Sequence, residues 1–94
     1  MNLKLFTLPN CPQCPAAKEV AQTIEKKRND IILSVLDLTN PDNMTVALMM
    51  QIASTPSFAI DNTPILIGRA PSIKELNELI EDYKRRQSLK DAQH

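Results

Sequence analysis

Cys11 and Cys14 are the only two cysteines in a chain of 94 residues, and they lie two residues apart within Thr7-Leu8-Pro9-Asn10-Cys11-Pro12-Gln13-Cys14-Pro15. Thiols at this spacing can close a small disulfide ring, supply half of a metal site, or pack as small apolar groups. The stretch lies where an apolar strand gives way to a helix. A cysteine at a helix start faces unpaired N–H groups and the positive end of the helix dipole, which favour the thiolate. Thiols in such C-x-x-C sites titrate between about 3.5 and 7.5, against about 8.5 unperturbed. With Cys11 at the helix start and Cys14 one turn on and directed toward the core, Cys11 is the expected attacking sulfur. Cys14 is then the expected resolving sulfur. The metal alternative stays open at this point. Zinc usually takes four ligands, and the only other candidate is His94, so two subunits would have to pool their C-x-x-C pairs around a zinc or an iron–sulfur cluster. That arrangement would make a non-catalytic metal-binding or redox-sensing module.

Stepping outward, 43% hydrophobic content in 94 residues fits one small domain, expected over residues 1–86, followed by a polar tail over 87–94. Eleven Lys and Arg balance eleven Asp and Glu, so no bulk field recruits nucleic acid or an anionic membrane. Aromatic residues make up 3% and tryptophan is absent, which removes base-stacking platforms. No apolar run approaches the roughly 18 to 20 residues of a membrane span. Met1-Asn2-Leu3-Lys4 leads into a short apolar run with no small-residue cleavage site after it, so a cytoplasmic location is expected; the expected state is a monomer. In a reducing compartment a Cys11/Cys14 pair is expected to cycle and not to persist as a structural disulfide.

The elements that must position the pair follow from apolar periodicity. Leu3 to Leu8 reads as a short buried strand. Ala17, Val20, Ala21 and Ile24 then repeat at helical spacing, predicting an amphipathic helix from the cysteines to about Asn29-Asp30. Pro12 is expected at its first position and Pro15 within its first turn. Ile31 to Leu38 is nearly continuous in apolar residues and predicts a strand buried on both faces. Asn40-Pro41 predicts a capped second helix reaching about Ile52 through Met44, Ala47, Leu48 and Met49, with the methionine cluster expected as core filler. Ser57 to Ile60 and Thr63 to Ile67 flank Asp61-Asn62 as a hairpin. Ser72-Ile73-Lys74-Glu75 fits a capping box, and Ile73, Leu76, Leu79, Ile80 and Tyr83 form the stripe of a third helix. Beyond Tyr83 the apolar face is lost, which predicts a frayed or disordered end. The order is β-α-β-α-β-β-α: an α/β domain whose parallel pair is extended by an antiparallel hairpin and covered by helices on both faces.

Thr55-Pro56 precedes the third strand, where a proline forfeits a ladder hydrogen bond. Either the proline is an ordinary trans residue ending a loop, or a cis bond leaves the Thr55 backbone free to pair with an extended peptide beside the cysteines. Cys11-Pro12-Gln13-Cys14 after a first strand, Thr55-Pro56 before a hairpin, and Gly68 before a capped last helix together resemble the thioredoxin/glutaredoxin superfamily over about residues 2 to 83. The small thioredoxin-like proteins of archaea and bacteria are the most similar in size. The resemblance implies a thioredoxin-like fold with a four-stranded mixed sheet flanked by three helices. It also implies a cis Thr55-Pro56 bond, Cys11 and Cys14 as the catalytic dithiol, and Pro12, Gln13, Thr55, Pro56 and Gly68 as residues that meet substrate. The implied activity is reduction of protein disulfides without a bound cofactor. Electrons would come from a thioredoxin-reductase-like flavin or iron–sulfur enzyme or from another dithiol protein. The sequence departs from the thioredoxin pattern at Asn10 and at Pro12-Gln13, and it has no carboxylate in Leu3-Lys4-Leu5-Phe6. It departs from the glutaredoxin pattern at Gln13 and after Gly68, where Arg69-Ala70-Pro71-Ser72 replaces an acidic residue. Glutathione-dependent activity is the alternative within the same fold.

Overall fold

The computed structural model describes residues 1–92. The elements are β1 (Asn2–Thr7), α1 (Cys14–Lys27), β2 (Ile32–Asp37), α2 (Pro41–Met49), β3 (Ser57–Ile60), β4 (Thr63–Ile67) and α3 (Ile73–Ala92). The four strands form one sheet in the order β2-β1-β3-β4. β1 pairs parallel to β2, with Leu5 opposite Val35, and antiparallel to β3, with Leu5 opposite Phe58. The order and the mixed sheet are those the sequence predicts.

Two cores hold the layers together. On one face Leu3, Leu5, Phe58 and Ile60 of the sheet meet Ala17, Ala21 and Ile24 of α1 and Leu76 and Ile80 of α3. On the other face Phe6 and Ala59 meet Ala47 of α2 together with Leu38 and Ile52. Each large side chain so buried contributes roughly 1.5 to 3 kcal/mol of transfer free energy. In α1 the fully buried positions against the sheet include two alanines, whose small size lets helix and sheet approach closely.

Local chemistry explains the boundaries. Asn40 caps α2 by accepting from the N–H groups of Asp42 (2.8 Å) and Asn43 (3.4 Å). The β3–β4 turn places Asp61 at φ 53°, a conformation Asp tolerates, and Asp61 Oδ1 accepts from Asn2 N–H (3.1 Å). Pro64 lies in β4, an outer strand, where its missing N–H disturbs no interior ladder.

Four expectations are corrected. α1 begins at Cys14, with Gln13 as N-cap, so Pro12 precedes the helix and Cys11 lies in a turn closed by Cys14 N–H to Cys11 C=O (3.4 Å). Starting at Pro12 would have put Pro15 at the fourth helical position, where an N–H is needed; starting at Cys14 puts it at the second, where none is. β2 is not buried on both faces: Ile32 is 68% exposed and Val35 41%, because β2 is the outer strand and its apolar run is only partly covered. The methionine cluster is core filler only at Met50, which packs partly buried against the smaller core. Met49 is 81% exposed, and Met44 and Leu48 also face outward, since a nine-residue helix lying on the smaller core buries only Ala47. Finally, α3 remains helical through Ala92. Its charged stretch is held by ion pairs, Lys84 to Asp30 (3.2 Å) and Arg85 to Asp82, in place of an apolar face. His94, the candidate third metal ligand, lies outside the described residues.

Candidate functional site

β1 ends at Thr7, and two turns carry the chain to Cys14, with Cys11 N–H donating to Leu8 C=O (3.2 Å). Cys11 and Cys14 are joined by a disulfide with their Cα atoms 5.4 Å apart. Their surroundings differ. Cys14, the first residue of α1, is 6% exposed, while Cys11 is half-buried and reaches the surface.

The pair sits between two depressions. On one side a cleft of about 380 Å³ is lined by both cysteines, Thr7, Leu8, Pro9, Pro15, Lys18, Val35 and Asp37. Asp37 Oδ1 accepts from the backbone N–H (2.8 Å) and the hydroxyl (2.7 Å) of Thr39, and these bonds hold its carboxyl below the usual range. On the other side Leu8, Asn10, Cys11, Pro12 and Thr55 line a smaller hollow. The Thr55-Pro56 bond is cis, with Pro56 buried beneath the half-exposed Thr55. Among the described residues neither the N–H nor the C=O of Thr55 has a hydrogen-bond partner.

Behind this turn, Ser57 is fully buried and donates to Ser54 C=O (2.6 Å), while its Oγ accepts from Gly68 N–H (3.2 Å). Gly68 N–H also reaches Pro56 C=O (3.0 Å). Gly68 takes φ +88°, and a Cβ there would meet only Ser54 Cβ at 3.6 Å, so the backbone angle and not lack of room calls for glycine. Gln13 Oε1 accepts from Ala70 N–H (3.1 Å), tying the cysteine loop to the segment after Gly68.

The predicted residues thus divide. Cys11, Cys14, Pro12 and Thr55 come together, with Pro56 directly behind; Gln13 and Gly68 brace the loops from one step away. The capping box is half formed: Ser72 Oγ accepts from Glu75 N–H (3.0 Å), but the Glu75 carboxylate pairs with Arg69 through two bonds, one of 2.7 Å. The Arg69 guanidinium holds that carboxyl below its ordinary value. Lys18, Val35 and Asp37 were missed. They stand 4 to 23 positions from the nearer cysteine in sequence, and only the parallel β1–β2 pairing brings Val35 and Asp37 alongside. Ser57 was also missed, because a serine at a strand start carries no local sign of its partners.

A reversible sulfur pair at the head of a helix, facing a proline turn with an open backbone, defines the class of thiol–disulfide oxidoreductases. The comparisons narrow this further. The thioredoxin domain family matches residues 1–81. The chain is 32% identical over 80 residues to a thioredoxin of Methanocaldococcus jannaschii, covering 85% of this chain and 92% of that one. It is 30% identical over 82 residues to a protein named "Probable Thioredoxin" in Archaeoglobus fulgidus, covering 87% and 88%. Among solved structures, thioredoxin 1 of Thermosipho africanus superposes with a TM-score of 0.69 at 26% identity, over 94% of this chain and 99% of that one. The chain belongs to the thioredoxin family, has its fold, and is a thiol–disulfide oxidoreductase. Membership implies disulfide-bearing protein substrates and a partner that supplies electrons. No helix among the described residues is long and apolar enough to cross a membrane.

Proposed function

We propose that the protein reduces protein disulfides through the Cys11/Cys14 dithiol, with Cys11 as nucleophile. In the reduced protein the Cys11 thiolate attacks one sulfur of a substrate disulfide, forming a mixed disulfide and releasing the other substrate sulfur as a thiolate. The Cys14 thiolate then attacks Cys11 Sγ, closing the Cys11–Cys14 disulfide and releasing the second substrate sulfur. The substrate gains two electrons and the protein loses two. β1 has no carboxylate, so the Cys14 proton passes to water or to the departing substrate thiolate. The carrying observation is the difference in access, with Cys11 at the surface and Cys14 6% exposed.

Pro12, Thr55 and Pro56 frame the approach to Cys11, with Gln13 and Gly68 holding the two loops in place. A flavin- or iron–sulfur-dependent reductase or another dithiol protein restores the thiols. The protein acts as a cytoplasmic monomer whose working unit is residues 1–86. In an insulin-reduction assay, Cys11→Ser is expected to abolish turnover and Cys14→Ser to accumulate a mixed disulfide seen by mass spectrometry. Full activity of Cys11→Ser would sink the assignment. A coupled glutathione assay should run slowly, because the segment after Gly68 offers Arg69, already engaged by Glu75, where a γ-glutamyl group would want a free acidic partner.

A further inference from the structure

β2 is an outer strand whose free edge is closed at both ends and open in the middle. Ile32 N–H donates to Met1 C=O (2.9 Å) and Leu38 N–H to Thr7 C=O (2.9 Å), so the even-numbered residues of β2 turn their backbone groups toward β1. By the two-residue period of a strand, Leu33, Val35 and Asp37 turn theirs outward. Unpaired edges invite a foreign strand, and proteins commonly block them. Here Glu25 Oε2 takes the Leu33 N–H (2.7 Å), and the Asp37 C=O accepts from Asn43 Nδ2 (3.0 Å) and Asn40 N–H (3.1 Å). Between these plugs, Val35 N–H and C=O have no partner among the described residues. Val35 and Asp37 also line the same cleft as Cys11 and Cys14, so the open stretch of edge is continuous with the reacting sulfurs.

We infer that this gap is a substrate-docking edge: an extended backbone segment flanking the attacked cysteine of the substrate pairs with Val35 N–H and C=O as a short added strand, its alternate side chains entering the cleft between Lys18 and Asp37. The inference rests on the disulfide-reductase reading above and adds to it a second backbone contact, on the side of the cysteines away from Thr55. The plugs limit the added strand to two or three residues, which suits a protein that must release each product. Main-chain pairing is indifferent to side-chain identity, so it admits many substrates whose cysteine lies in an extended segment.

The test is a cycle of two changes. One is Val35→Pro, which removes the outward N–H without touching a β1 bond; the other is N-methylation of the amides flanking the cysteine in a synthetic disulfide peptide. With the unaltered protein, methylation is expected to lower kcat/KM about tenfold, the size of one or two lost hydrogen bonds. With Val35→Pro, the unmethylated peptide should already react at the low rate, and methylation should cost little more. Equal losses from methylation in both proteins would assign the sensitive contact to Thr55 and overturn the proposal, as would no loss in either. A second measurement does not depend on that variant folding. In Cys14→Ser held as a mixed disulfide with the unmethylated peptide, exchange of the Val35 amide should slow at least tenfold relative to the free protein, and an unchanged rate overturns the proposal. A dimer of the unaltered protein by gel filtration at assay concentration, converted to monomer by Val35→Pro, would give the edge to a second copy and likewise overturn it. Turnover of a small aromatic disulfide, which has no peptide backbone, reports on the sulfur pair alone; its failure would count against the disulfide-reductase reading and not against the edge.

Discussion

Replacing Ser57 by alanine removes a hydroxyl that donates to Ser54 C=O and accepts from Gly68 N–H in a fully buried position, leaving the Ser54 carbonyl without that partner. Unsatisfied buried groups cost about 1 to 3 kcal/mol, and the second bond from Gly68 to Pro56 C=O places Ser57→Ala toward the lower end. Urea unfolding is the check; a midpoint equal to that of the unaltered protein would contradict the reading. Gly68→Ala tests a different cause. Its Cβ would find ordinary van der Waals room, so the expected loss of about 1 to 2 kcal/mol comes from forcing a side chain into the left-handed region. Asn, which tolerates that region, should lose less. At this scale the sequence was unevenly informative. The only glycine and the C-x-x-C pair announce themselves by type, whereas Ser57 matters through partners that no local pattern reveals.

Elements defined by their own neighbours were readable in advance. The Asn40 and Ser72 caps, the Asp61 turn and the stripe of α3 all act within a few residues. The exposure of β2 was not readable, because Ile31 to Leu38 would serve equally well in a central strand, and its place at the sheet edge is decided by how other strands pair. The same reasoning hid Val35 and Asp37 from the site. It also misplaced the start of α1, where the backbone needs of Pro15 decide against Pro12. The contrast between apolar residues that pack and those that do not can be measured. Ile80→Ala in α3, at a fully buried position, should cost about 2 to 5 kcal/mol. Met49→Ser in α2, at an exposed one, should stay within about 0.5 kcal/mol. A large effect of Met49→Ser on unfolding would mean that α2 buries a surface the structure leaves open.

Across the whole molecule, Arg28 ties the connection between α1 and β2 to α3. Its guanidinium, 14% exposed, donates to Asp30 (3.0 and 2.9 Å), to Glu81 of α3 (2.9 Å) and to Asn77 of α3 (2.7 Å) just beyond the end of α1. These bonds hold the Asp30 carboxyl well below its ordinary 3.8 and lower Glu81 from its ordinary 4.5. Groups lowered in the folded state stabilise it fully above their unfolded values and lose that contribution as the pH falls through the folded ones. Stability should therefore be level above about pH 5 and decline below about 4.5. Arg28→Met should flatten part of that decline, which urea midpoints measured from pH 7 to 2 can resolve; an unchanged profile would remove Arg28 as the cause. The two cores described above are unequal, and this has a consequence for the order in which the molecule comes apart. α2 is seated by one fully buried residue, Ala47, with the neighbouring Ile52 and the partly buried Val46 and Met50, so it forms the cheapest unit to open without the rest. Under native conditions thermolysin should make its first cut between residues 44 and 50, at a rate that follows this partial opening and not global unfolding. Because α2 runs directly into Ala53-Ser54-Thr55-Pro56, such a nick would free the loop that faces Cys11 while the β1–α1 unit carrying both sulfurs stays folded.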